Sequence, residues 1–251
     1  MSKKMLAVLF STLFFSIPAF SQPYSWNLSR DVMTPSAPGP TYLSLNPTVP
    51  TTPANGVWTF AKLQGGVYSP LTSLNTACAA SLSVPLLTTI CWESAPGLLP
   101  LVGASPTATV NLNNGFSMFD LIQGMVMMHP ANNAQAVASW RSSGSAAGTA
   151  GFTGNVRILG RVSDLDTACG DGVQLRIRKS TIPGPLPIPA SNTVSVPFTS
   201  VPSAPIILNS SKTFSVASTS VAPGTEILFI IDKVGNELCD STSLDVLITE
   251  L

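Results

Sequence analysis

The sequence predicts an all-β fold, an antiparallel sandwich or barrel, from three observations. Its 251 residues include 22 prolines and 18 glycines, a breaker content that argues against a helical bundle. Apolar residues make up 45% and charged residues only 10%, so the chain can fill a core and is a poor candidate for charge-driven disorder. From Val57 onward, short β-prone runs recur between turn residues, with no sustained helical period.

Taken in chain order, residues 1–21 read as a secretory signal peptide. Lys3 and Lys4 precede an apolar run from Met5 to Phe15, and small residues at Ala19 and Ser21 suit cleavage before Gln22. That run is too short for a comfortable bilayer span, so removal rather than anchoring is expected. Residues 22–56 hold seven prolines and read as an extended, loop or edge segment. A single domain is expected over 57–251. Its predicted strands are Val57–Lys62, Leu82–Leu87, Thr107–Leu112, Gly124–His129, Ala134–Arg141, Phe152–Ser163, Val173–Lys179, Thr193–Phe198, Lys212–Ala217, Thr225–Asp232 and Leu244–Glu250. The proline ladder Ile182–Pro189 reads as a stiff surface loop.

Charge excludes some partners. Twelve basic residues balance twelve acidic ones, and loss of Lys3 and Lys4 leaves the mature chain slightly acidic. Such a chain has no field for collecting nucleic-acid phosphates. No second apolar stretch approaches the length of a membrane span, so the mature chain is expected to lack one. Secretion or a periplasmic location follows from the leader.

Two segments alternate well enough to suggest hairpins. Val156, Ile158 and Val162 alternate with Arg157, Leu159 and Arg161; Val173, Leu175 and Ile177 alternate with Gln174, Arg176 and Arg178. Pairing Val162 with Val173 sets Gly160 against Leu175, Ile158 against Ile177, and Arg157 against Arg178. Ile227, Phe229 and Ile231 before a turn, and Leu244, Val246 and Ile248 after it, suggest a second hairpin. Each connecting loop carries one cysteine, Cys169 and Cys239. Four cysteines in an exported chain favour two disulfides, and three pairings are formally possible. Loops at one end of a sandwich would join Cys169 to Cys239, leaving Cys78 for Cys91. Zinc is disfavoured, because there is no CxxC pair and only one histidine.

Asp164-Leu-Asp-Thr-Ala-Cys-Gly-Asp-Gly-Val173 and Cys239-Asp-Ser-Thr-Ser-Leu-Asp245, with Asn55-Gly-Val-Trp58, His129-Pro130 and Trp140-Arg141 in the same order, resemble a jelly-roll domain of secreted bacterial proteins. The resemblance covers roughly residues 50–250. It implies a jelly-roll β-sandwich, similar in architecture to carbohydrate-binding modules, with an extracytoplasmic role. Ser243 stands where such domains usually have glycine, and no sorting tail follows Leu251, so anchoring by that route is not expected.

The candidate site residues fall into three groups. Asp164, Asp166, Asp171, Asp240 and Asp245 gather five of the twelve acidic residues around the two cysteine loops. Calcium takes six to eight oxygen ligands, which such loops offer; the alternative is that these aspartates cap their own turns. Arg157, Arg176 and Arg178 share one predicted face. They need an acidic neighbour such as Glu226 or Asp245, or else an anionic glycan. Trp58 and Trp140 are candidates for stacking on sugar rings, with core packing as the alternative. His129 is the only histidine and lies outside any nucleophile elbow, so a structural role is expected.

These readings converge on a secreted, non-catalytic binding protein, with carbohydrate or a surface glycoconjugate as first ligand. A structural or protein-interaction component of the envelope or extracellular matrix is the alternative. A glycoside hydrolase would need two of the aspartates about 5–9.5 Å apart across an open cleft.

Overall fold

The computed structural model describes residues 25–33, 58–75, 89–105, 109–113, 118–142, 152–166, 168–183, 186–198, 206–207 and 210–251. The predicted signal peptide, the strand Leu82–Leu87 and Cys78 lie outside the described residues. The elements in the first half are β1 (Ser25–Asn27), α1 (Leu28–Met33), β2 (Trp58–Gln64), β3 (Val67–Pro70), β4 (Ser73–Asn75), β5 (Ile90–Glu93), β6 (Leu101–Ala104), β7 (Val110–Asn113), β8 (Met118–Leu121), β9 (Val126–His129) and β10 (Gln135–Arg141). The second half adds β11 (Gly154–Asp164), β12 (Val173–Ser180), β13 (Ile188–Pro189), β14 (Thr193–Ser195), β15 (Ser211–Val221), β16 (Glu226–Lys233) and β17 (Thr242–Glu250).

The fold is all-β, an antiparallel β-sandwich. One sheet runs β15-β11-β17-β9-β6-β5-β4, with β1 adding to the C-terminal half of β17. The other runs β13-β3-β2-β10-β16-β12-β14. Along β9, β10, β11 and β12, and again along β15, β16 and β17, each strand lies in the opposite sheet from the one before it. This is jelly-roll connectivity, in which the chain arches over the core instead of turning back beside itself.

The two predicted hairpins are therefore corrected. β11 pairs with β15 and β17, and β12 pairs with β16 and β14, so Val162 lies beside Leu244 and Lys212 rather than Val173. β16 and β17 are likewise in different sheets. The inward faces were assigned correctly, since Val156, Ile158, Val162, Val173, Leu175 and Ile177 all belong to one buried cluster. They meet across the core between sheets instead of along a ladder. Alternation tells which side of a strand is buried, and it does not name the strand alongside.

The register also explains Gly160. Its partner on β15 is Phe214, and a Cβ at Gly160 would lie 2.2 Å from the Phe214 ring and 2.6 Å from the Asp245 carbonyl oxygen. The bare backbone makes room for the aromatic ring over the strand.

Both outer faces carry covers. β7 and β8 place Val110, Leu112, Phe119 and Leu121 against Cys91, Leu101 and Met127 on the first sheet. On the second, Leu186 and Ile188 bury against Leu228, Ile230 and Tyr68. The proline ladder read as a surface loop is thus partly a lid, and this is why β16 is buried along both faces over Glu226–Ile231. The N-terminal segment, read as extended, loop or edge strand, supplies such a strand in β1 and also a short helix that this reading lacks. Residues 25–33 form β1 and α1, which bury Leu28 and Val32 in the main core, while Asp31 Oδ2 accepts a hydrogen bond from Trp58 Nε1 at 3.1 Å.

Candidate functional site

The loops β11–β12 and β16–β17 are arches over the same end of the sandwich. Cys169 and Cys239 join them, with Cα atoms 5.6 Å apart, as expected from the sequence. Cys91 is buried, and its expected partner Cys78 lies outside the described residues. The arches press close enough to exclude side chains. Gly170 adopts φ +106°, and a Cβ there would lie 2.6 Å from the Cys239 carbonyl oxygen. Cys239 itself sits at φ +60°, a left-handed conformation that ordinarily costs a non-glycine residue about 1–2 kcal/mol.

Two of the predicted aspartates, Asp166 and Asp171, tie these arches together, and Asp164 caps its own turn. Asp166 Oδ2 accepts the Ser241 backbone N–H at 2.7 Å, and Asp164 Oδ1 accepts the Asp166 N–H at 3.1 Å. Asp171 Oδ2 accepts from the Asn236 N–H at 3.1 Å and its Nδ2 at 3.2 Å. Only the Asp164 bond is the local turn cap considered from the sequence; those of Asp166 and Asp171 cross between the arches. Asp245 is separate: it is exposed on β17, in register with Arg161 of β11.

Asp240 behaves differently from its neighbours. It is 1% exposed, and neither carboxylate oxygen meets a donor at hydrogen-bonding geometry. Burial first, then the carboxylates of Asp171, Asp164 and Asp166, push its pKa up to about 8. The Gly172 amide opposes this only as the smallest influence. Among the described residues, no group of three or more His, Cys, Asp or Glu side chains converges as a ready-made metal cage.

At the same end, the β2–β3 and β9–β10 turns and the end of β16 frame an open cleft of about 360 Å³. Its lining includes Gly65, Gly66, Asn132, Asn133, Gln135 and Asp232. The polar wall is pre-ordered. Asp232 Oδ2 accepts from Gln135 Nε2 at 3.0 Å and from Arg176 Nη2 at 2.6 Å, while Lys233 Nζ donates to Asn132 Oδ1 at 2.5 Å. Sequence reasoning passed over these residues; the signal was the turn Pro130-Ala-Asn-Asn133 between two strands.

The predicted aromatic and arginine sites are redistributed. Trp58 is 1% exposed and Trp140 0%, and both belong to the main core cluster. Their rings face other aromatic residues, Phe229 for Trp58 and Trp26 for Trp140, so neither offers a stacking face. The arginines do not share a face. Arg157 is exposed on the first sheet, opposite Thr249, whereas Arg176 and Arg178 lie on the outer side of the second. Arg157 and Arg178 are therefore not neighbours, and no repulsion needs offsetting. Arg176 is satisfied by Asp232; Arg178 donates to the Thr193 hydroxyl at 2.6 Å and its carbonyl oxygen at 2.9 Å.

Glu226, suggested as a partner for those arginines, instead takes Arg141 at 2.5 Å and also accepts the Ser139 hydroxyl. Glu226 is fully buried, and that burial raises its pKa although Arg141 opposes it. His129 is buried with Nδ1 donating to the Pro130 carbonyl oxygen at 2.7 Å, and burial lowers its pKa. The neutral ring therefore serves the turn between β9 and β10.

No family model, curated protein or solved structure matches this chain. Among the described residues, no helix is long and apolar enough to cross a membrane.

Proposed function

We propose that this is an exported, non-catalytic β-sandwich that binds carbohydrate, as free glycan or surface glycoconjugate, in the cleft between the β2–β3 and β9–β10 turns. The carrying observation is the cleft's lining of side-chain amides and one carboxylate beside two bare glycines. Amides and carboxylates pair with adjacent sugar hydroxyls, and glycine lets a ring approach the backbone. The held geometry of Gln135, Asp232 and Arg176 limits the ordering cost on binding. Export fits the leader-like first 21 residues and the Cys169–Cys239 bond.

A glycan array probed with the mature chain, alongside an Asn133→Ala, Asp232→Ala variant, tests this reading. The expected result is retention on a defined set of glycans, weakened at least tenfold in the variant. Binding that ignores both substitutions, or no binding at all, overturns it. The second reading, a structural or protein-interaction component of the envelope or matrix, draws on β15. Among the described residues that 11-residue strand pairs only with β11, and a sheet edge of this kind is where another strand can add. A protein recovered by pull-down after a blank array would support that reading.

A further inference from the structure

Asp240 poses a problem that the glycan cleft does not address. Both of its oxygens are buried with no donor at full hydrogen-bonding geometry, the Gly172 amide being the one donor that acts on them, and the hydroxyl of the next residue, Ser241, is also buried without a partner. Asp171, then Asp164 and Asp166, act on it from the β11–β12 arch, so every charged group acting on Asp240 is another carboxylate. No ion pair to Asp240 occurs among the described residues. A proton would remove the charge of Asp240 but leave the carboxylates of the facing arch crowded around it. A hard cation would satisfy both oxygens and offset the crowded negative charge in one step.

We propose that this end of the sandwich is a calcium site, centred on the Asp240 carboxylate and supported by Ser241 and the aspartates of the facing arch. The available donors are all oxygen. His129, the only imidazole in the chain, already spends Nδ1 on Pro130, so the chemistry suits calcium rather than zinc. Because no three acidic side chains form a cage, loop carbonyls and water complete the ligand set, as calcium's irregular coordination permits and magnesium's strict octahedron does not. The disulfide adjoining Asp240 holds the two arches in place for the ion. The site is independent of glycan binding, and its test does not involve a sugar.

Thermal unfolding of the chelator-treated mature protein, with calcium, magnesium or EDTA, reads the proposal, with isothermal calorimetry for stoichiometry. Calcium at a hundredfold excess over Kd should raise Tm by roughly 5–10 °C, with one ion bound per chain and a much smaller response to magnesium. Asp240→Asn should abolish the response, whereas Asp245→Asn, on the exposed outer face, should retain it. Should Asp240→Asn fail to fold, Asp171→Asn serves instead and should weaken calcium binding about tenfold. Coincident calcium and EDTA curves for the wild type overturn the proposal and leave Asp240 as a protonated acid. A calcium response that survives in Asp240→Asn, or a calcium affinity unchanged in Asp171→Asn, overturns it as well.

Discussion

Removing the Cys169–Cys239 bridge tests the physical account of how the two arches are held. The bond closes a loop with a sequence separation of 70. In the chain-entropy treatment a closed loop of that length removes about 15 cal/mol/K from the unfolded ensemble, or about 4.4 kcal/mol at 25 °C. Alanine is the better replacement at both positions, because Cys239 is buried and a serine hydroxyl there would need a partner. Urea unfolding of the Cys169→Ala, Cys239→Ala variant, followed by tryptophan fluorescence, should show a stability loss of about 4 kcal/mol. With a slope of roughly 2–3 kcal/mol/M, the midpoint falls by about 1.5–2 M. All of this loss belongs to the unfolded state unless the arches also shift. A cooperative transition with a loss below about 1 kcal/mol would refute the reasoning. It would mean that the unfolded chain is already restricted around this loop, or that the bond strains the folded arches.

Four further outcomes are expected. Gly160→Ala should cost about 1–3 kcal/mol in thermal unfolding, because the new methyl group must displace the Phe214 ring or the Asp245 carbonyl. Arg141→Met leaves Glu226 buried without its cation and should cost about 3–5 kcal/mol by denaturant unfolding. Burial raises the folded pKa of Glu226 while Arg141 opposes it, so removing Arg141 raises it further and the Arg141→Met loss should be greater at pH 8 than at pH 5. His129 has a lowered folded pKa, so its contribution is complete above the unfolded value of about 6.5 and is lost as pH falls. The stability advantage of wild type over His129→Asn, which keeps a donor for Pro130, should therefore shrink from pH 7 to pH 5.

Most strand positions were readable because a half-buried strand must alternate. β10, β11, β12, β16 and β17 lie within one or two residues of the runs Ala134–Arg141, Phe152–Ser163, Val173–Lys179, Thr225–Asp232 and Leu244–Glu250. The Cys169–Cys239 link was also readable, although its premise of two hairpins was wrong. A disulfide needs the two loops at the same end, and both hairpins and arches put them there. Short strands such as β5, β6 and β8 escaped notice because four residues carry too little pattern to distinguish from a loop.

The candidate site was less legible. Trp58 and Trp140 looked like ligand platforms because an aromatic residue in sequence is equally suited to a core and to a sugar, and only burial separates the two. Arg157 and Arg178 looked opposed because the pairing was assumed; two separate sheets put them on different outer faces. The cleft drew no attention because Asn132, Asn133, Gln135 and Asp232 come from distant segments and carry no motif together.

By itself, then, the sequence determined the all-β class, the inward faces of the long strands and the cysteine pair that joins two loops. These follow from local rules, namely side-chain period, turn chemistry and cysteine count. The tertiary structure alone decided which strands lie side by side, which tryptophans are buried and why Asp240 is buried among other carboxylates. Those outcomes depend on contacts between residues far apart in the chain, where solvent exclusion and charge crowding arise only after the two sheets close over one core.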